Sequence, residues 1–242
     1  REINLKIKES KTRRYLINIL LVTMTIIGII LILNDQIKDY FIKRNSRKYS
    51  VENLEINDIK KNKEMPASFD FDNVKEIDSK SVFMEQYKNK ELPAIGGIAI
   101  PSVGINLPIF KGLSNEALIY GAGTMSKDQV MGKGNYSLAS HHTKNPELLF
   151  TPLEKVKVGE KIYLTDLENI YVYDITSNQK VSPDSVHVLD EIPGKNIVTL
   201  VTCGESEGIT RIVVQGDLIS ITPLNKSTQD MKNAFNIDSK TY

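Results

Sequence analysis

The sequence has little cysteine, no excess of basic charge, and no familiar spacing for binding a metal or a phosphate. Its one cysteine, Cys203, excludes a disulfide within the chain. With 31 Lys and Arg against 30 Asp and Glu, the chain lacks the basic excess typical of a nucleic-acid-binding domain. It contains no spaced Cys/His set for zinc, no His-Glu-x-x-His helix and no GxxxxGKS/T loop. These absences leave a globular protein whose chemistry rests on ordinary side chains.

One long apolar run is present, YLINILLVTMTIIGIILIL at residues 15–33. At about 1.5 Å per residue, a helix of about 19 residues spans roughly the 30 Å of a bilayer's hydrocarbon core. A cleaved signal peptide is the competing interpretation, but its apolar region is usually about 7–15 residues long and ends at a small-residue cleavage site, which is not found here. We expect an uncleaved transmembrane anchor. Basic residues in the segment 1–14 favour a cytoplasmic N-terminus, with the remainder outside the cell.

The composition changes after the anchor. Residues 34–92 are rich in Lys, Asn, Asp, Glu and Ser and contain few large apolar residues, so we interpret them as an extracellular, partly helical spacer. Within it, Asn73 and Glu76 have the spacing of a helix cap, for a helix that would run to about Lys88. Whether this helix docks on the rest of the protein or forms a loose stalk is left open by the sequence.

The segment 93–223 consists of short runs rich in β-branched and aromatic residues, separated by Gly, Pro, Asn and Asp. The runs are IGGIAIPS, INLPIF, ALIYGAGTM, NYSLASHH, KIYLTD, IYVYDI, VHVLDEI, NIVTLVT and RIVVQGDLISI. Such spacing without long helices favours a mainly β domain, an antiparallel barrel or a sandwich. A single helical turn is expected in ELLFTPLEKVKVG, and residues 224–242 form a C-terminal tail.

The run that holds the cysteine predicts a thiol beside a guanidinium. If NIVTLVTC and RIVVQGD pair across the loop 204–210, the simplest register sets Cys203 opposite Arg211, on the same face of the sheet. A nearby guanidinium favours the thiolate and can stabilise negative charge on a carbonyl oxygen under attack. The alternatives are a small buried thiol and a rim salt bridge of the arginine with Glu205 or Glu207.

A nucleophilic thiol needs an acid–base partner, and the sequence has three histidines. His141 and His142 are adjacent at the end of NYSLASHH, so on a strand their side chains point to opposite faces. Tyr136 and Leu138 mark the apolar face, which His142 shares. If the other face is the floor of a groove, His141 is the available imidazole. His187 lies between two valines and is expected to be an exposed strand residue.

Together these residues resemble the sortases, the membrane-anchored cysteine transpeptidases of Gram-positive bacteria. NYSLASHH resembles the family's strand ending in Ala-Gly/Ser-His, and TLVTC is followed by a strand-opening arginine. The resemblance also covers LLFTPLEKVKVGEKIYLTD and VSPDSVHVLDE, and extends over about residues 92–223. It implies a closed β-barrel of about eight strands with short helices, preceded by a single transmembrane helix and the partly helical spacer.

The resemblance also implies a role for individual residues. Cys203 matches the nucleophile, His141 the catalytic imidazole and Arg211 the third member of the site. The family's histidine follows the Ala-Gly/Ser pair immediately, which selects His141 over His142. Thr202 matches the residue beside the oxyanion. Five further residues match the positions that line the groove for a Leu-Pro segment, although ordinary core packing explains each of them equally well: Ala139, Val186, Val188, Leu189 and Val201.

The resemblance is to the class A, housekeeping type, because no second apolar segment follows the barrel in this sequence. Some class A members bind calcium through acidic residues before the histidine strand. Here Ser126, Gln129 and Lys133 occupy those places and only Glu191 remains, whereas Ca²⁺ prefers several carboxylate oxygens. We therefore expect no metal, and the implied chemistry requires no organic cofactor.

The implied function is cleavage of LPxTG-type sorting signals between Thr and Gly through a thioacyl intermediate. The product would be a surface protein linked to a cell-wall amine. The expected partners are LPxTG-bearing surface proteins, a peptidoglycan precursor amine and the membrane, with no nucleic acid. The expected location is the cell membrane, single-pass, with the catalytic domain extracellular. Two alternatives are a membrane-tethered cysteine peptidase that only hydrolyses, and a non-catalytic surface binding module.

Overall fold

The structure is a computed structural model that describes residues 2–70, 74, 77, 81–82, 84, 91–204 and 209–236. The chain divides into two units, Arg1–Tyr40 and Phe41–Tyr242. The first unit holds helix α1 (Glu2–Ile32) and the beginning of helix α2 (Asn34–Lys48). The segment Arg13–Ile32 has the length and apolar composition to cross a membrane and is 0% buried. A signal sequence near the N-terminus has the same properties.

The second unit is built on a closed barrel of eight strands. Around the barrel their order is β1-β2-β3-β4-β7-β8-β6-β5, which confirms the predicted mainly β fold. The strands are β1 (Ala94–Ile100), β2 (Ile105–Phe110), β3 (Ala122–Thr124), β4 (Asn135–Ala139), β5 (Lys161–Thr165), β6 (Asn169–Val181), β7 (Ile197–Cys203) and β8 (Arg211–Pro223).

The barrel interior is filled by large apolar side chains, and several strands are also covered on the outside. Every residue of β1 and β4 is buried, and so is every residue of β7 before its last. In β1 the sequence is accordingly an almost continuous apolar run, AIGGIAI. The inward-facing residues include Ile98, Leu138, Phe150, Tyr173, Leu200 and Val214.

Short helices follow or precede several strands. Helix α3 (Ile56–Glu64) lies before the barrel, α4 (Asn115–Tyr120) follows β2, and α5 (Gln229–Asn233) follows β8. Single 3-10 turns occur at Val51–Asn53, Pro101–Val103, Thr151–Lys155, Val186–Leu189 and Leu224–Lys226. The turn at Thr151–Lys155 confirms the helical turn predicted there.

Part of the predicted spacer contributes to the core of the second unit. Ile42, Val51 and Ile59 are each 1% exposed. Ile42 packs with Phe110, and Val51 and Ile59 pack with apolar residues from β1, β6 and the C-terminal segment. The boundary at residue 92 stays a prediction. The proposed helix caps at residues 73 and 76, and the helix end near residue 88, lie outside the described residues.

Three details of the expected fold are wrong. The barrel is not wholly antiparallel, because β2 pairs with β3, and β4 with β7, in parallel. The run ALIY forms α4, where Ser114 Oγ accepts a hydrogen bond from Ala117 N at 3.2 Å and caps the helix. The run VHVL forms the 3-10 turn Val186–Leu189 instead of a strand, so His187 is exposed as predicted but lies on a turn.

Candidate active site

The candidate site lies where β4, β7 and β8 meet at one edge of the barrel. Strands β7 and β8 are antiparallel, with Val201 opposite Val213 and Cys203 opposite Arg211, which confirms the predicted register. Strands β4 and β7 are parallel, with Ala139 beside Val201. The carboxyl ends of β4 and β7 therefore reach the same edge, at which β8 begins.

His141 follows β4 by two residues and so approaches Cys203. Ser140 N donates to Val201 O at 3.2 Å, which continues the ladder between β4 and β7 beyond the last residue of β4. Extending the parallel register by two residues from Ala139 and Val201 brings His141 beside Cys203. Residues two apart on a strand share a face, so both side chains lie on the outer face of the sheet.

The imidazole of His141 is buried and uncharged at neutral pH. The residue is 9% exposed, and this burial lowers its pKa from 6.5 to about 4. Its Nε2 atom is buried without a hydrogen-bond partner among the residues that the structure describes. A buried polar atom without a partner is costly. The ring therefore retains one nitrogen free to bind a proton or a ligand atom.

His142 points elsewhere, as the strand alternation predicts. Its Nε2 lies 3.2 Å from Glu154 Oε1, and its side chain is 12% exposed. It does not line the pocket that His141 lines. The two adjacent imidazoles thus have different surroundings, and only His141 lies on the face of the cysteine.

Cys203 and Arg211 are half-buried at the rim of this edge. The cysteine is a free thiol, and Arg211 Nη1 donates to Thr210 O at 3.1 Å. The predicted alternative of a salt bridge to Glu205 or Glu207 lies outside the described residues.

One pocket contains the three residues that the sequence singles out. Cys203, His141 and Arg211 line it together with Val74, Leu118, Ala139, Ser140, Val201 and Thr202. A thiol, an imidazole and a guanidinium around one concave space can attack a carbonyl, move a proton and stabilise an oxyanion.

Thr202 has a structural link to the histidine segment. Its side chain is buried on the opposite face from Cys203, where Oγ1 donates to Ser140 O at 2.8 Å. Ser140 Oγ donates in turn to Gly121 O at 2.6 Å. These two bonds hold the residue that precedes His141 between β7 and the start of β3.

The five predicted groove residues fall into two groups. Ala139 and Val201 are buried and line the pocket. Val186, Val188 and Leu189 are not pocket-lining residues. They lie on the 3-10 turn Val186–Leu189, where Val186 is 70% exposed. The turn contacts the same outer sheet face farther from Cys203, because Gln215 Nε2 of β8 donates to Val188 O.

Three pocket residues were not assigned to the site from the sequence, namely Val74, Leu118 and Ser140. Leu118 belongs to the run interpreted as a strand, and the N-cap Ser114 before Asn-Glu was the available signal for a helix. Val74 lies in the predicted spacer, and nothing in the sequence indicates that it packs near Ala139.

The positions linked to calcium carry other interactions here. Gln129 Nε2 donates to Ser137 O at 2.8 Å, and Gln129 Oε1 accepts from Ser126 N at 3.0 Å. Within the described ranges, no group of three or more His, Cys, Asp or Glu side chains could hold a metal ion.

Comparison with known proteins gives one consistent family. A family profile described as "Sortase domain" matches residues 98–219. Sortase A of Streptococcus agalactiae is 44% identical over 229 residues, which cover 93% of this chain and 92% of that protein. Sortase A of Listeria monocytogenes is 41% identical over 215 residues, which cover 88% of this chain and 95% of that protein. A crystal structure of the Listeria protein matches with a TM-score of 0.55 and 43% identity, over 60% of this chain and 98% of that one.

Proposed function

Because the chain belongs to the sortase family, class A, and is a sortase transpeptidase, we propose that Cys203, His141 and Arg211 carry out its reaction. The observation that carries the proposal is the shared pocket of these three side chains at the edge where β4, β7 and β8 meet. The proposed substrate is a sorting signal of the LPxTG type, cut between Thr and Gly.

In the first half of the reaction His141 acts as base and then as acid. Its lowered pKa keeps the imidazole neutral at pH 7, so it can take the proton from Cys203 Sγ as the sulfur attacks the Thr carbonyl carbon. Collapse of the tetrahedral intermediate breaks the Thr–Gly C–N bond. The imidazolium then gives its proton to the departing amine, and a thioester on Cys203 remains.

In the second half, an amine from a peptidoglycan precursor attacks the thioester carbonyl. His141 takes a proton from the attacking nitrogen, the C–S bond breaks, and the imidazolium passes this proton to the leaving sulfur, which restores the Cys203 thiol for another cycle. Arg211 faces Cys203 across the β7–β8 pair. From there its guanidinium stabilises the oxyanion of both tetrahedral intermediates. The Thr202 hydroxyl, on the opposite face of β7, instead holds the histidine segment through Ser140 O. The product is a surface protein linked to the cell wall.

The outer face of the sheet has the length that the sorting signal requires. At about 3.3 Å per residue, Thr199 lies about 13 Å from Cys203 along β7, and an extended Leu-Pro-x-Thr segment places Leu about 10 Å from the scissile carbonyl. The Leu-Pro end therefore falls over Ala139 and Val201, between Cys203 and the turn that carries Val186, Val188 and Leu189.

The proposed location follows from the apolar helix. The segment Arg13–Ile32 crosses the membrane and residues after Leu33 lie outside the cell. This arrangement puts the barrel where both surface proteins and cell-wall precursors are found. The corresponding division of the chain is a cytoplasmic segment 1–14, an anchor 15–33, a spacer 34–92, a catalytic barrel 93–223 and a tail 224–242.

A ligation assay tests the proposal against the hydrolase alternative. The full chain in detergent micelles is incubated with an LPxTG peptide and excess oligoglycine. Ligated peptide is the expected product, whereas free acid alone would indicate a peptidase and no turnover would contradict the substrate class. Cys203→Ala and His141→Ala should abolish ligation, and the matched variant His142→Ala should retain it. The reverse result for the two histidines would overturn the choice of imidazole.

A further inference from the structure

The turn Val186–Leu189 is attached to the barrel through side chains of the strands. Its own backbone hydrogen bonds are local, from Val188 N to Ser185 O at 3.3 Å and from Asp190 N to His187 O at 3.1 Å. Local bonds fix the shape of a turn but not its place on the sheet. The position of this turn therefore depends on what the neighbouring strands supply.

Two amide side chains reach the turn from different strands. Asn135 Nδ2, at the start of β4, donates to Val188 O and to Asp190 O, each at 3.1 Å. Gln215 Nε2, on β8, donates to the same Val188 oxygen at 3.1 Å. A carbonyl oxygen has two lone pairs, so both acceptor positions of Val188 are occupied by the sheet.

Thr199, on β7 between these strands, joins the two amides. Its Oγ1 donates to Asn135 Oδ1 at 2.7 Å and accepts from Gln215 Nε2 at 3.1 Å. Thr199 is 0% exposed and Asn135 is 7% exposed. Buried polar networks whose members are satisfied are rigid, because every alternative arrangement leaves a group unpaired. We call Asn135, Thr199 and Gln215 the polar clamp.

We propose that the polar clamp positions the turn Val186–Leu189 as the wall of the groove for the Leu-Pro end of the substrate. Its three members are positioning residues that act through the turn. The inference rests on the proposed function, since it assumes that the sorting signal extends from Cys203 along the outer face. The clamp lies on the same face as Cys203, because Thr199 and Gln215 form a pair two residues beyond Val201 and Val213 in the same register.

The clamp is expected to influence substrate binding more than the chemical step. A turn that is held before the substrate arrives costs nothing further to order, whereas a loosened turn must be ordered during binding. Losing the clamp should therefore raise the KM for the sorting peptide. The kcat should change little, because the clamp contacts neither the thiol nor the imidazole.

Two near-isosteric variants remove clamp bonds while keeping side-chain volume. Gln215→Met loses the donors to Val188 O and Thr199, and Thr199→Val loses the link between the two amides. With about a fivefold effect per hydrogen bond, KM should rise between about five- and twentyfold, with kcat within about twofold. Thr199→Ser retains the hydroxyl and should restore the parent KM.

Asn178→Leu is a matched control. Asn178 Nδ2 also donates to two backbone carbonyls of one turn, Leu153 O and Val156 O, each at 3.0 Å. It pairs with Val214 on the inner face of the barrel, away from the clamp. This variant should lose about as much stability as the clamp variants, whereas its KM for the sorting peptide should stay that of the parent. A peptide with Ala-Ala in place of Leu-Pro should show no difference between the parent and the clamp variants.

Backbone hydrogen exchange of residues 186–190 separates the inference from the proposed function. The clamp variants should exchange faster in this turn than the parent and the Asn178→Leu control. If the parent fails to ligate the peptide, the proposed function is contradicted. The exchange data still test whether the polar clamp holds the turn, because they do not depend on ligation. Unchanged exchange in the turn, or an unchanged KM with a reduced kcat, would overturn the inference.

Discussion

Lowering the pH from 7 to 4 should destabilise the folded protein through His141. Burial lowers the pKa of this imidazole from 6.5 to about 4. Below pH 6.5 the unfolded chain binds a proton at this position, whereas the folded chain does so only below about pH 4. The free energy of unfolding therefore falls as the pH drops through this window. At about 1.4 kcal/mol per pH unit, the complete effect is about 3 kcal/mol.

An effect of this size is measurable, since a domain is typically stable by about 5–15 kcal/mol. The assay is denaturant unfolding of the full chain in micelles at pH 7, 6, 5 and 4, compared with His141→Asn, which is similar in size and does not titrate. Carboxylates titrate in both proteins, so their contribution cancels when the free energy of unfolding of one protein is subtracted from that of the other at each pH. His187→Asn replaces an exposed imidazole and should keep the parent's pH dependence. If the free energy of unfolding of His141→Asn has the same pH dependence as that of the parent, the conclusion that His141 is buried in its neutral form is refuted.

Two further predictions concern the rim of the site. Arg211→Lys keeps a cation but loses the planar guanidinium. The kcat for ligation should therefore fall about a hundredfold, with a smaller change in KM. An unchanged kcat would contradict a role of Arg211 at the oxyanion. Because Cys203 is the only cysteine, a membrane-impermeant maleimide should label the chain on intact cells, and Cys203→Ser should stay unlabelled. Labelling only after lysis would place the barrel inside the cell.

The pairing of β7 with β8 could be predicted because it is local. The loop 204–210 is short, the flanking runs are rich in β-branched residues, and the two strands have one simple register, which the structure adopts. The face of His141 followed from the alternation of NYSLASHH, because Tyr136 and Leu138 are indeed in the barrel core. Periodicity assigns a side chain to a face reliably once the strand itself is correct.

The parallel pairing of β4 with β7 could not be predicted, since it joins segments that are distant in sequence. The turn at Val186–Leu189 was missed because the alternation in VHVL also fits a strand, and only tertiary contacts decide between the two. Its place on the sheet depends on Asn135 and Gln215, which are polar residues of two different strands. Polar residues on the outer face of a strand carry no pattern that identifies their partners.

Parallel pairing of β4 with β7 is the feature on which the proposed site depends. Strands that run in one direction end at the same edge, so His141 and Cys203 meet although they are far apart in sequence, and antiparallel β8 begins there with Arg211. The alternation of side chains sets a second condition. A slip of β7 by one residue would turn Cys203 into the barrel, and would also expose Leu200, which is 0% exposed. The apolar core that fixes the register therefore also fixes the face on which the thiol lies.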